Sequence, residues 1–79
     1  MKSLCMINVK AGTVDSVLQI LKKKRSLSKD IMIVTGRADI CLILDGEINE
    51  INKFVTNLKK INDVVSTETL IEVEVDMGW

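Results

Sequence analysis

Residues 33–44 read IVTGRADICLIL. Two apolar runs flank the insert Thr35-Gly36-Arg37-Ala38-Asp39. The runs have the length and β-branched content of strands, and Gly and Asp are turn formers because they tolerate backbone conformations that other residues avoid. The stretch therefore reads as strand, turn, strand, and the rest of the chain is read outward from this hairpin.

Toward the N-terminus, IMIV (residues 31–34) forms the first arm of the hairpin, reached through a polar connector at 25–30. Before the connector, Val14, Val17, Leu18 and Leu21 recur at i, i+3, i+4 and i+7, the apolar stripe of an amphipathic helix. Thr13 is placed to cap it after the turn Lys10-Ala11-Gly12. LCMINV (residues 4–9) has the composition of a first strand. Toward the C-terminus, ICLIL (residues 40–44) is broken by Asp45-Gly46. A second helical stripe follows at Ile48, Ile51, Val55, Leu58 and Ile61. Asn62 is expected to end that helix in a left-handed conformation. The last strand, expected over 67–75, alternates, with Thr67, Thr69, Ile71, Val73 and Val75 on one face and Glu68, Leu70, Glu72 and Glu74 on the other.

The order βαββαβ predicts an α+β, ferredoxin-like domain: a four-stranded antiparallel sheet with two helices on one face. The halves echo one another in Leu21-Lys22-Lys23 and Leu58-Lys59-Lys60, each at a helix end. A sheet face that meets water should alternate to polar. LCMI, IMIV and ICLIL do not alternate, so the second face is expected to pack on another subunit. That arrangement is a dimeric α/β barrel.

The totals agree. Seventy-nine residues suffice for one domain, read as 1–79 with a core at about 4–75 and a tail at 76–79. A chain this short buries only about 60% of its unfolded surface, so its core alone gives marginal stability. Yet 47% of the residues are apolar, and Phe54 and Trp79 are the two aromatics. That much aliphatic side chain calls for a second subunit. Eleven basic and eleven acidic residues cancel, leaving no field that draws the chain to nucleic acid or to an anionic membrane. The basic run Lys22-Lys23-Lys24-Arg25 sits where a helix should end and complements its dipole. No segment approaches the roughly 20 apolar residues of a membrane span, and LCMI is too short for a signal peptide. Cys5 and Cys41 lie in apolar runs without metal-ligand spacing and are expected to be buried thiols, with no metal and no cofactor. A reducing cytoplasm fits them.

Catalysis has little to stand on. Without histidine or tyrosine, the available general bases narrow to carboxylates and lysines. Asp45, Glu47 and Glu50 gather where the second helix starts, as its dipole favours. Neither a histidine-rich pocket nor a phosphate-cradling Gly-rich loop is present. RNA binding through the sheet lacks the aromatic residues that stack bases.

The segments VTGRADICL (34–42) and VVSTETLI (64–71), with AGTVDSVLQIL (11–21), resemble the effector-binding module of the leucine- and asparagine-responsive regulators, the Lrp/AsnC family. In that family a DNA-binding helix-turn-helix domain precedes the module. Here Met1 lies three residues before the expected first strand, so the chain is expected to be a stand-alone form that does not touch DNA. The resemblance implies dimers formed through the open sheet faces, dimers assembled in a ring, and an amino acid or similar effector bound between dimers near the T-G-x-x-D loop. Full-length Lrp/AsnC-type regulators are further candidate partners, for which this chain would be a ligand-independent adaptor. A small dimeric-barrel enzyme carries less weight. The chain departs from the family pattern at Ala38, at Asp63 and in the tail Asp76-Met77-Gly78-Trp79.

The candidate ligand-binding residues are Thr35, Gly36, Arg37, Asp39, Thr67 and Thr69. Gly36 lacks a Cβ and lets a ligand approach the backbone. Turn amides donate to a carboxylate, Arg37 can pair with one in two-point geometry, and Asp39 can accept from an ammonium group. Thr67 and Thr69 would add hydroxyls if a neighbouring subunit's loop lies close. Turn formation alone also accounts for Gly36 and Asp39, solvation for Arg37, and strand propensity for the threonines.

Overall fold

Six elements occur in the expected order: β1 (Lys2–Val9), α1 (Val14–Lys23), β2 (Ser28–Ile33), β3 (Ile40–Asp45), α2 (Ile48–Leu58) and β4 (Val64–Ile71). The computed structural model describes residues 1–24 and 27–74. The strands form one antiparallel sheet in the order β2-β3-β1-β4, the ferredoxin-like arrangement.

Helix-facing and open rows follow from the register. Cys5 opposes Leu42 and Thr69, while Ile7 opposes Ile40 and Thr67. Cys5, Ile7, Ile40, Leu42 and Leu44 are buried with Val17 and Leu21 of α1 and Ile51, Phe54 and Leu58 of α2. This is the core, and each aliphatic side chain within it contributes about 1.5–3 kcal/mol by leaving water. The other face carries Leu4, Met6, Cys41 and Ile43 at its centre. Met32 and Leu70 flank them, 41% and 50% exposed. Neither α1 nor α2 covers it. Among the described residues, no helix is long and apolar enough to cross a membrane.

Four local expectations are corrected. Asn62 is not left-handed, for no described residue other than glycine has positive φ. α2 ends instead by tightening, with the amides of Lys60 and Ile61 donating to the carbonyls of Asn57 and Leu58. Thr13 occupies the N-cap position of α1, but its hydroxyl donates backward to the Lys10 carbonyl at 2.6 Å, so it closes the preceding turn instead of capping the helix. The buried stripe of α2 runs Ile51, Phe54, Leu58, with Ile48 39% exposed. Ile51 and Leu58 of the expected stripe are buried and Val55 and Ile61 pack against the core, while Ile48 falls outside it and Phe54 joins it. β4 stops at Ile71, and Val73 beyond it is 76% exposed. Val75 and the tail at 76–79 lie outside the described residues, as does Arg25 of the basic run, whose Lys22 and Lys23 do fall in the last turn of α1.

Strand β2 is also longer than its apolar run, starting at Ser28 through a bulge between Ser28 and Asp30. At its start α2 is secured by Glu50, whose Oε1 accepts the Glu47 amide at 3.0 Å.

Core depth makes a graded prediction. Ile7→Val should cost about 0.5–1.5 kcal/mol in urea unfolding, and Ile33→Val, at an edge position, should stay within about 0.5 kcal/mol. Equal losses would contradict the assigned burial, with Ile7 fully buried and Ile33 58% exposed.

Candidate functional site

The loop between β2 and β3 is closed by the Val34 amide, which donates to the Asp39 carbonyl at 3.0 Å. Gly36 turns it with φ +110°, and a Cβ built there meets nothing within 4 Å. The position therefore demands glycine for its backbone angle while leaving the space above it free for a ligand. Thr35, Gly36 and Arg37 are exposed, whereas Ala38 is buried.

Asp39 ties this loop to the sheet. Its amide donates to the Ile7 carbonyl at 2.9 Å, and its Oδ2 accepts the Val9 amide at 2.9 Å in a partly buried setting. The ladder between β1 and β3 ends at Ile7, so the carboxylate satisfies an amide that would otherwise lose its bond on folding. The role that the sequence suggests for this residue, an acceptor for a ligand's ammonium, meets a competing structural role.

Arg37 reaches across the open face of the sheet to Glu68 on β4. The guanidinium and carboxylate lie 3.6 Å apart, with side chains 86% and 54% exposed. So exposed a pair contributes under about 1 kcal/mol. It does, however, hold the arginine over the border of the apolar face. Glu68 is not among the candidates that the sequence offers, because nothing in the alternation of β4 says which charge its neighbours will present.

Thr67 and Thr69 stand elsewhere. Their register with Ile7 and Cys5 puts both on the helix-facing side, whereas Arg37 meets Glu68 on the other side. Thr67 lines a hollow of about 320 Å³ with Lys59, Val64, Val65 and Ser66. Thr69 donates its hydroxyl to the Cys5 sulfur at 3.6 Å. Burial pushes the Cys5 thiol pKa up, partly offset by this hydrogen bond, with Cys41 adding a small rise. One subunit thus brings Thr35, Gly36, Arg37 and Asp39 together and leaves both threonines on the opposite face.

A second hollow, shallow and about 350 Å³, opens at the far end of the open face between Leu4, Ile43 and Leu70, with Lys2 and Glu72 beside it. Among the described residues, no three of His, Cys, Asp and Glu are grouped to hold a metal ion.

Compared by sequence, the chain matches no protein-family model and no curated protein. Compared by structure, it is similar to TTHA0845 of Thermus thermophilus, with a TM-score of 0.84 at 18% identity over 95% of each chain. FFRP-DM1 superposes with a TM-score of 0.82 at 19% identity, covering 91% of this chain and 97% of that one. AsnC of E. coli does so with a TM-score of 0.71 at 23% identity over 94% of this chain. The fold is the one AsnC contains. This chain spans 51% of AsnC's length, so the match is to about half of that protein. At these identities the likeness is one of fold, and it agrees with the ferredoxin-like βαββαβ order and with the Lrp/AsnC resemblance read from the sequence.

The two roles of Asp39 are separable. Asp39→Ala removes the acceptor from the Val9 amide and should cost about 1–3 kcal/mol in denaturant unfolding. Asp39→Asn keeps a carbonyl oxygen there and should retain most of that stability. An alanine variant as stable as the parent would show that the bond carries no weight.

Proposed function

We propose that this chain is a ligand-binding and oligomerisation module of the Lrp/AsnC type, a sensor or modulator of transcription regulation. Its ligand is an amino acid or a related small metabolite held at subunit boundaries, and the module makes no DNA contact and carries out no reaction of its own. The observation that carries this reading is the uncovered sheet face, whose apolar centre is bordered by the Gly36 turn and the Arg37–Glu68 pair. An apolar centre with a charged rim is the anatomy of a protein interface. A loop with free space over a glycine and an arginine at its tip suits a carboxylate arriving at the edge of that interface.

In this reading a second copy covers Leu4, Met6, Cys41 and Ile43, and the dimers assemble further into a ring. The wall that the loop lacks within one subunit then comes from a neighbour, which is also how Thr67 and Thr69 can enter a site. A carboxylate ligand competes with Glu68 for Arg37, so the pair acts as a weak, exchangeable latch.

One observation favours an adaptor that co-assembles with full-length regulators and needs no ligand. Asp39 is engaged by Val9 and Arg37 by Glu68 within the chain itself. A loop already satisfied in this way can serve as a structural turn alone.

Two measurements separate these readings. Unfolding in denaturant is followed with each of the twenty amino acids at millimolar concentration. A ligand that binds only the native state stabilises by RT ln(1 + [L]/Kd), about 2.7 kcal/mol at a hundredfold excess over Kd. The sensor requires a shift confined to one class of side chain, reduced in Asp39→Asn and strengthened for an acidic-group ligand in Glu68→Gln. Absence of any shift transfers the function to the adaptor. Independently, sedimentation at micromolar concentration should give a dimer or a multiple of it, and Ile43→Lys should yield folded monomer. A monomeric parent protein would overturn the assembly and the site together.

A further inference from the structure

The sheet register assembles something the linear sequence separates. Met6 on β1 and Met32 on β2 both oppose Cys41 on β3. Three sulfur side chains therefore stand in one row across the open face, with the thiol in the middle. Two of the chain's four methionines flank one of its two cysteines. Cys41 is 9% exposed, Met6 is half-buried and Met32 is 41% exposed, so the row is most accessible at its Met32 end. The next position along it is Glu68, paired with Met6 and facing Arg37. Hence the donors in the row are soft, and the hard oxygen ligand at its end is engaged elsewhere.

We propose that Met6, Cys41 and Met32 form a site for a soft monovalent metal ion, with Cu(I) as the chemical class. Thiolate and thioether ligands select soft ions, Cu(I) foremost among the monovalent ones. Directly opposed side chains on neighbouring strands have Cβ atoms about 4.5–5.5 Å apart. Methionine is unbranched with three rotatable bonds, so both thioethers can swing over the central sulfur and close a three-coordinate site. The ion arrives as Cu(I) and displaces the Cys41 thiol proton, which leaves to solvent. The thiolate supplies one negative charge to balance the ion, and no electron is transferred. All three ligands come from one chain, so the site does not depend on the proposed dimer. Where a second copy covers the open face, the ion is enclosed between the two sheets.

The other cysteine provides an internal contrast. Cys5 is fully buried on the opposite face, opposed by Leu42 and Thr69, with no thioether beside it in its row. The pattern is therefore one of position, not of sulfur content.

The test presents Cu(I) anaerobically to the full chain in competition with bicinchoninate, and follows the methionine methyl signals by NMR. The parent protein should withdraw no more than one ion per chain from the chelator, with the Met6 and Met32 methyls shifting together. Even groups that only support a metal's ligands are worth about 10–100-fold in affinity. Cys41→Ser should therefore lose at least about a hundredfold, and Met6→Leu with Met32→Leu about tenfold or more, while Cys5→Ala binds as the parent does. The leucine variants conserve volume and keep the test open should Cys41→Ser fail to fold. Failure of the parent to hold Cu(I) against the chelator overturns the site. So does binding that survives in the double leucine variant, which would reduce it to a bare thiolate.

Discussion

Two helices can cover one face of a four-stranded sheet and no more, and this chain has apolar residues for both. β1 and β3 send Cys5, Ile7, Ile40, Leu42 and Leu44 under the helices and Leu4, Met6, Cys41 and Ile43 to the other side. Burying the second set would need a third layer, and the six elements among the described residues form two. The architecture is thus complete on one side and open on the other. The loop, the ion pair and the sulfur row all take their meaning from lying on or beside that open side.

Most of the fold was legible because hydrophobic period reports it directly. The 3.6-residue stripes located both helices, and short apolar runs between turn formers located β1 and β3. What escaped was decided by partners distant in sequence. Ser28, Lys29 and Asp30 look like a connector, yet they extend β2 because β3 offers them a ladder of backbone groups. Asn62 has the chemistry for a left-handed cap, but α2 has already closed with hydrogen bonds that span three residues instead of four before reaching it. Phe54 joins Ile51 and Leu58 in the buried stripe while Ile48 stays outside it, a difference set by what packs on α2 and not by its own period.

The candidate site was legible only in part, for a similar reason. Gly36 advertised its positive φ, since no side chain would choose that turn. The alternation of β4 correctly separated the threonines from Glu68, yet it could not say which set would face the helices. That assignment needs the register with Cys5 and Ile7. Arg37 with Glu68 and Asp39 with Val9 are both pairings about 30 residues apart in sequence, and side-chain identity alone does not predict them.

The bond from Val9 to Asp39 has a neighbour. The next amide, Lys10, donates to the Asp63 carbonyl at 2.9 Å. Two consecutive residues leaving β1 therefore fasten two separate connections, the one from β2 to β3 and the one from α2 to β4. A change at either anchoring residue, Asp39 or Asp63, is therefore felt at the same end of β1, whereas the other end of that strand is tied separately, through Met1 to Gly46 and Lys2 to Glu72.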